Sequence, residues 1–421
     1  MSASAIDADR LWRHLMALGE LTDPGRPFTR RCFTDRFLVG RRWLGERFAA
    51  AGLSVRLDAG GNLIGRREGS DPSLPALAIG SHSDTVPSGG RFDGPLGVVA
   101  GLEVAETLRD QGITLRHPLE IIDFLSEEPS DYGLSCVGSR AMTGHLDAAM
   151  LDLANAGGET LGSAMMRMGA RPAECLAPGR SDIAAFLELH IEQGPVLEAE
   201  GTEIGIVTGI AGILRLEIVF TGSADHAGTT PYELRRDALV AAAETVLAVR
   251  RLGEALAATG NGFFVATTGL LTVSPNAANV VPGAVRMVVE ARAEQVSSFT
   301  AFTDQISAAS LAAAAAARVE RSGFRPLSRS QPALCDPALR NHLDAAAQGL
   351  GLSTMTLASG AGHDAAFMAT IAPTAMIFVP SREGRSHCPE EWTDPAACAQ
   401  GVALLFETLL RIDGDDAFSG R

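Results

Sequence analysis

Short, almost uninterrupted apolar runs alternate along the first half of the chain with stretches whose apolar positions recur every three to four residues. The runs near 76–81, 119–125, 185–191 and 203–208 read as strands, the first of them buried. Helical periodicity falls at 41–51, 95–110 and 138–145, and Gly60-Gly61-Asn62 turns the segment Leu53 to Asp58 into Leu63 to Arg66. Such alternation predicts an α/β fold built on a mixed sheet. The pattern changes near Gly209-Ile210-Ala211-Gly212. From there the chain reads strand (214–220), helix (235–257), strand (263–273), strand (285–292), helix (296–318) and strand (319–324). That β-α-β-β-α-β order predicts a ferredoxin-like unit. Strand, helix and strand then resume (353–358, from about 364, 374–379), and a helix over 395–411 closes the chain. The expected organisation is a catalytic domain in two parts, 1–211 and 328–421, with a smaller domain inserted at 212–327. Ser328-Arg329-Ser330 is the expected return hinge.

A chain of 421 residues exceeds the size at which one core keeps growing, which agrees with two domains. The formal charge of −15 argues against nucleic acid or an anionic membrane as partner, since both need a basic face. All 35 basic residues are arginine, so lysine Schiff-base and Walker-lysine chemistry are excluded. The six cysteines show no Cys-x-x-Cys spacing and suit a reducing, cytoplasmic location. Residues 1–20 interleave Asp7, Asp9, Arg10, Arg13 and Glu20 with apolar positions, so no secretory signal is expected, and no run reaches the ~18 apolar residues of a membrane span.

Candidate chemistry gathers at the ends of the strand-like runs. Gly80-Ser81-His82-Ser83-Asp84-Thr85 closes the first, and Asp93 follows in Arg91-Phe92-Asp93-Gly94. Ser126-Glu127-Glu128-Pro129, Glu188-Leu189-His190-Ile191-Glu192-Gln193-Gly194-Pro195 and Ser386-His387-Cys388-Pro389 lie at or shortly after others. One sheet edge could therefore collect all four clusters, at the place where α/β enzymes keep their sites. A lone histidine is ordinarily a hydrogen-bonded core or surface residue, and paired glutamates are ordinarily a solvated turn. Four clusters of His, Asp and Glu at strand ends point instead to two metal ions bridged by a carboxylate. Asp84 is expected to hold one ring nitrogen of His82 while the other faces a metal. Of Glu127 and Glu128, one can ligate while its neighbour reaches the attacking water. His14, His117, His145 and His342 take no role.

Ser81-His82-Ser83-Asp84-Thr85-Val86-Pro87, Gly89-Gly90-Arg91-Phe92-Asp93-Gly94, the Glu188 to Pro195 segment, Asp225-His226-Ala227-Gly228-Thr229-Thr230-Pro231 and Ser359-Gly360-Ala361-Gly362-His363-Asp364 resemble the hydantoinase/carbamoylase branch of the M20 metallopeptidase family. The resemblance runs from about residue 10 to residue 412. It implies that His82, Asp93 and His190 hold one divalent ion, and Asp93, Glu128 and His387 a second. The ions would be Zn²⁺, or Mn²⁺, Co²⁺ or Ni²⁺. It further implies Glu127 as general base, Asp84 as the partner of His82, and His226 at a substrate carbonyl oxygen, in its own or a partner subunit. Gln193, Asn279, Arg292 and Gly360 would line the pocket for a small carboxylate substrate, and the inserted domain would be a lid through which the protein forms a homodimer.

Two departures stand out. Where many carbamoylases have Glu-Glu-Gly followed by an Arg-Phe pair, this chain has Glu127-Glu128-Pro129-Ser130-Asp131-Tyr132-Gly133, and the family's Asp-x-Arg reads Glu290-Ala291-Arg292. The expected activity is hydrolysis of an N-carbamoyl-L-amino acid to amino acid, ammonia and carbon dioxide. The alternatives are an allantoate or ureidopropionate amidohydrolase, an N-acyl-amino-acid deacylase or dipeptidase, or a metal-binding protein without activity.

Overall fold

A computed structural model describes residues 6–177 and 179–419 of the 421. The chain divides into two compact units. One comprises the chain up to Thr208, Cys335–Leu357 and the chain from His363 onward; the other comprises Gly209–Leu334 and Ala358–Gly362. The chain thus passes between the units at 208/209, 334/335, 357/358 and 362/363. The last strand of the second unit, Glu320–Arg329, runs through the expected hinge at Ser328 because that segment stays paired with Gly212–Thr221.

A mixed sheet organises the first unit. Its order is Ser54–Leu57, Leu63–Arg67, Leu119–Phe124, Ala76–His82, Ile183–Ile191, Thr374–Val379 and Ile204–Ile210, with Thr354–Ser359 also paired to Ile204–Ile210. The four strands Leu119–Phe124, Ala76–His82, Ile183–Ile191 and Thr374–Val379 run parallel, and every residue in them is buried. This is why their sequences read as continuous apolar runs and not as alternating ones. Parallel pairing also sends their carboxyl ends to one edge. The registers His82↔Phe124 and Phe378↔His190 bring the two histidines and the turn after Phe124 to that edge.

The helix Pro95–Asp110 packs on this sheet and is buried along most of its length. It starts with Pro95 at its first turn after Gly94 at φ +83°, and a methyl group on Gly94 would lie 2.3 Å from the His82 ring. Gly97 is equally tight: a methyl there would sit 2.4 Å from the Leu189 carbonyl oxygen. Helix Ala8–Gly19 is absent from the sequence reading, although Leu11, Leu15 and Leu18 recur at helical spacing on one face. Asp7 caps it, and it buries Leu11, Leu15 and Leu18. Its Trp12 packs against Phe92 and Trp392, with ring centroids 5.8 and 5.4 Å away. Fully buried Phe92 is thereby held immediately before Asp93, and burying such a ring is worth about 2–3 kcal/mol. Helix Pro395–Asp413 is long and apolar enough to span a membrane, but 56% of that window is buried within the protein, as in a core helix.

The second unit has an antiparallel sheet in the order Glu320–Arg329, Gly212–Thr221, Ala284–Ala293, Phe264–Ser274. The helices Ala238–Ala257 and Val296–Ala316 alternate with the strands in the sequence β-α-β-β-α-β. Along Ala284–Ala293, Val285, Met287, Val289 and Ala291 face a core that includes Phe220, Phe299, Phe302 and Ile306. The first helix starts at Ala238, not Arg235, because Asp237 accepts bonds from the backbone N–H groups of Leu239 and Val240 and so caps it. Phe264–Ser274 is an edge strand, with Val265, Leu270 and Leu271 exposed.

Candidate metal centre

His82 ends its strand, and its Nδ1 lies 3.0 Å from the backbone oxygen of Asp84. A carbonyl oxygen only accepts, so Nδ1 carries the proton and Nε2 presents a lone pair. His190 is set in the same way by the Ile191 carbonyl at 2.9 Å. The expected side-chain partnership of Asp84 with His82 is therefore made by the main chain. The Asp84 carboxylate is 3.7 Å from Nδ1 and instead accepts the backbone N–H groups of Glu127 (3.3 Å) and Glu128 (3.2 Å). It fixes the turn that carries both glutamates.

Asp93 is the meeting point. Its Oδ1 lies 3.3 Å from His190 Nε2 and 3.9 Å from His82 Nε2, while its Oδ2 lies 3.0 Å from His387 Nε2. His387 Nε2 is in turn 3.2 Å from Glu128 Oε1. Two triads of mutually close ligand atoms result, His82–Asp93–His190 and Asp93–Glu128–His387, sharing one carboxylate. Glu127 Oε2 stands 3.6 Å from His82 Nε2. The Asp93 loop is clipped from behind: Glu391 accepts the N–H groups of Phe92 (2.7 Å) and Asp93 (3.2 Å), and Ser386 donates to both Asp93 Oδ2 (2.6 Å) and Glu391 Oε2 (3.1 Å). Gln193 donates to Asp93 Oδ2 at 2.8 Å. Ser126, Gln193 and His387 all have φ between 54° and 58°, a left-handed backbone that costs of order 1 kcal/mol or more and gathers at functional sites.

The electrostatics describe a site that expects cations. Burial, then the nearby Glu128, pushes Glu127 well above the ordinary carboxylate range. Burial, then the charge of Asp93, pushes Glu128 up to about 8. Burial alone would raise Asp93, but the neighbouring histidines His190 and His387 hold it well below its usual value. Burial lowers His82 to about 4; His190 is raised to about 9 because Asp93 outweighs its burial, and His387 to about 9 chiefly through its bond to Asp93. Buried carboxylates crowded at this density repel one another unless positive charge lies between them. Buried His190 Nε2 faces Asp93 Oδ1 at 3.3 Å outside good hydrogen-bond geometry, as two ligands of one ion would. Imidazole nitrogens with carboxylate oxygens, two triads sharing one carboxylate, form a dinuclear divalent-metal centre.

Several neighbours are given no role by the sequence. The His363 ring stands 4.6 Å from that of His190, edge to face, and forms a third triad with Glu188 and His190. Glu188 accepts bonds from Ser81 Oγ and the backbone N–H of Ala365. Cys136 Sγ lies 3.4 Å from Glu127 Oε1. None of these sits at a spacing that a metal or catalytic motif prescribes.

Four predicted residues belong to the second unit. His226 is exposed, and its Nδ1 accepts the Gly228 N–H at 3.0 Å, leaving the ring proton on Nε2. Asn279, also exposed, bonds the Ala227 N–H through its backbone oxygen. Arg292 Nε and Nη2 meet Glu290 Oε1 at 2.8 and 2.7 Å, and Nη1 donates to the Gly360 carbonyl at 2.6 Å. Glu290 also binds Arg215 at 2.7 Å. The ion pair takes two of the five guanidinium N–H groups and the Gly360 carbonyl a third, leaving one on each terminal nitrogen.

Two ion-binding triads joined by one carboxylate, with a buried glutamate beside them, define a metal-dependent hydrolase. The sequence profile described as Peptidase family M20/M25/M40 matches residues 78–411. An N-carbamoyl-L-amino-acid amidohydrolase of Paenarthrobacter aurescens is 40% identical over 98% of this chain and 100% of its own. A ureidoglycolate hydrolase of Arabidopsis thaliana is 36% identical over 98% of this chain and 88% of its own. The crystal structure of an amidase of the hydantoinase/carbamoylase family from Burkholderia multivorans superposes with a TM-score of 0.90 at 34% identity, covering 97% of this chain and 98% of that one. The chain belongs to the M20 peptidase family, in its hydantoinase/carbamoylase branch.

Proposed function

We propose that this enzyme hydrolyses the ureido C–N bond of an N-carbamoyl-L-amino acid or a closely similar small carboxylate. The observation that carries the reading is the pair of triads sharing Asp93, with Glu127 next to them, in a chain similar from end to end to an N-carbamoyl-L-amino-acid amidohydrolase. His82, Asp93 and His190 would hold one ion and Asp93, Glu128 and His387 the other. Two divalent ions bound there supply charge that acidifies water and polarises a carbonyl oxygen.

The residues do the rest. Glu127 takes the proton of the attacking water and returns it to the departing nitrogen, a contribution of about 10²–10⁴ in rate. The new bond is water oxygen to ureido carbon, the broken one is that carbon to its terminal nitrogen, and ammonia leaves. The carbamate left behind decomposes to amino acid and carbon dioxide. His226, with its proton on Nε2, donates to the developing oxyanion, where one donor is worth about 3 kcal/mol. The two remaining terminal N–H groups of Arg292 bind the substrate carboxylate, with Asn279, Gln193 and Gly360 around it. The second unit is read as a ferredoxin-like lid, dimerising through its edge strand Phe264–Ser274 and the helix Ala238–Ala257, and the cytoplasm as the location.

The test is a substrate panel of N-carbamoyl-L-amino acids, allantoate, ureidoglycolate, ureidopropionate and N-acetyl-amino acids, with added Mn²⁺, Co²⁺ or Zn²⁺. Ammonia and free amino acid in equal amounts from an N-carbamoyl substrate support the reading. Turnover confined to N-acetyl-amino acids, with no ammonia released, overturns it in favour of a deacylase.

A further inference from the structure

Cys136 holds Glu127 at two points. Its backbone N–H donates to the Glu127 carbonyl oxygen at 2.9 Å, and its thiol donates to the Glu127 carboxylate, with Sγ 3.4 Å from Oε1. The flanking bonds Val137 N–H to Ser126 oxygen (3.0 Å) and Gly138 N–H to Leu125 oxygen (2.7 Å) lock the two segments together. Among the described residues, the thiol is the one group in hydrogen-bonding geometry with that carboxylate, whose other oxygen faces His82.

Backbone geometry makes the presence of a side chain here informative. Cys136 sits just before the helix Val137–Thr143 at φ 54°, ψ 39°, in the left-handed region where glycine rests without strain and a Cβ costs of order 1 kcal/mol. The residue is buried and its thiol points at no metal triad. A strained position that keeps a side chain does so for what that side chain touches, and what it touches is Glu127.

We propose that Cys136 is a positioning residue for the general base: its S–H occupies Oε1 of Glu127 and so presents Oε2 to the attacking water. The proposal rests on the assignment of Glu127 as base. A thiol is a weak donor, and fixing one carboxylate oxygen in a buried site is enough to matter because the reacting geometry tolerates little displacement. Nucleophilic chemistry at this sulfur is not implied, since burial, together with the charge of Glu127, pushes the thiol well above its ordinary range and the proton stays on sulfur.

Steady-state kinetics of ammonia release from the best substrate of the panel, on protein carrying two ions per chain by elemental analysis, test this with Cys136→Ala, Cys136→Gly and Cys136→Ser. Ala and Gly are expected to lower kcat about tenfold with KM within twofold, and Ser, which retains a donor, to recover most of kcat. Gly is also expected to keep Tm near the native value, since relief of strain offsets lost packing, so that stability and activity part company. In a Glu127→Gln background Cys136→Gly should have no further effect on kcat. Native kcat in the Ala and Gly variants, or a loss in Ser equal to that in Gly, overturns the proposal. Should Ala fail to fold, Gly and Ser decide alone. Full activity in Glu127→Gln itself would overturn the base assignment instead, which keeps the two failures apart.

Discussion

At the scale of single residues, the glutamate pair divides its labour through the turn that Asp84 fixes. Glu127→Gln keeps the shape and the metal ligands but has no lone pair basic enough to take a proton. Its kcat should fall at least about a hundredfold with two ions still bound. Glu128→Gln should instead bind fewer ions, because Glu128 stands 3.2 Å from His387 in the second triad. Elemental analysis beside turnover separates the two, and two ions per chain in both variants would show the roles reversed or wrong. Arg292→Lys removes the planar fork while keeping the charge. It should raise KM strongly for carboxylate substrates and leave the poor turnover of their amides little changed; equal native turnover of acids and amides would make Arg292 purely structural.

Among elements, the strand Leu119–Phe124 carries a buried carboxylate away from the metal site. Glu120 has no exposed side-chain surface and meets Arg180 (2.7 Å), Arg66 (3.2 Å) and Arg56 (3.2 Å). Burial is the largest influence and works against its ionisation, but Arg180, Arg56 and Arg66 together outweigh it and hold the group below its ordinary value of 4.5. A folded-state pKa below the unfolded one adds stability that is fully present above the unfolded pKa and is lost as pH falls on through the folded-state pKa. Glu120→Gln should therefore cost about 1–3 kcal/mol at pH 7, less than a wholly buried pair because the arginines are partly exposed, and the Tm gap to the native protein should narrow towards pH 4. A gap constant with pH would mean that shape, not charge, is what Glu120 contributes. The strands themselves were legible because burial on both faces writes an unbroken apolar run. Helix Ala8–Gly19 went unread although its apolar face recurs at helical spacing, because its charges served only as evidence against a secretory signal; one of them, Arg10, binds Glu103 at 2.8 Å.

For the whole molecule, the metal centre is a proton store as well as a ligand set. At pH 7 Glu128 (about 8), His190 (about 9) and His387 (about 9) hold protons that coordination must displace. Adding Zn²⁺ to chelated enzyme should release protons, read as a dependence of the binding heat on buffer ionisation enthalpy. It should also raise Tm by several degrees, since ion at a hundred times its Kd is worth about 2.7 kcal/mol. Heat independent of buffer would contradict the protonation states. Of this centre, the clusters holding His82, Glu127, Glu128, His190 and His387 could be located from strand ends, and Asp93 from the loop that follows the first of them. His363 stands in a segment that carries the family resemblance but no metal spacing, and Cys136 enters only by packing. Periodicity reports the regular backbone, and these positions lie outside it.

The distribution of the ligands along the chain also orders their arrival during synthesis. His82, Asp93 and His190 have all been made before residue 191, whereas the strand Thr374–Val379, which covers the far side of Ile183–Ile191, and His387 come near the close. A ribosome therefore releases one complete triad on a sheet that still lacks an inner strand. Until Thr374–Val379 and His387 emerge, the nascent chain displays an apolar, unpaired edge beside ligands able to capture a single ion, so its exposure to aggregation and to mismetallation lasts through the whole synthesis of the second unit.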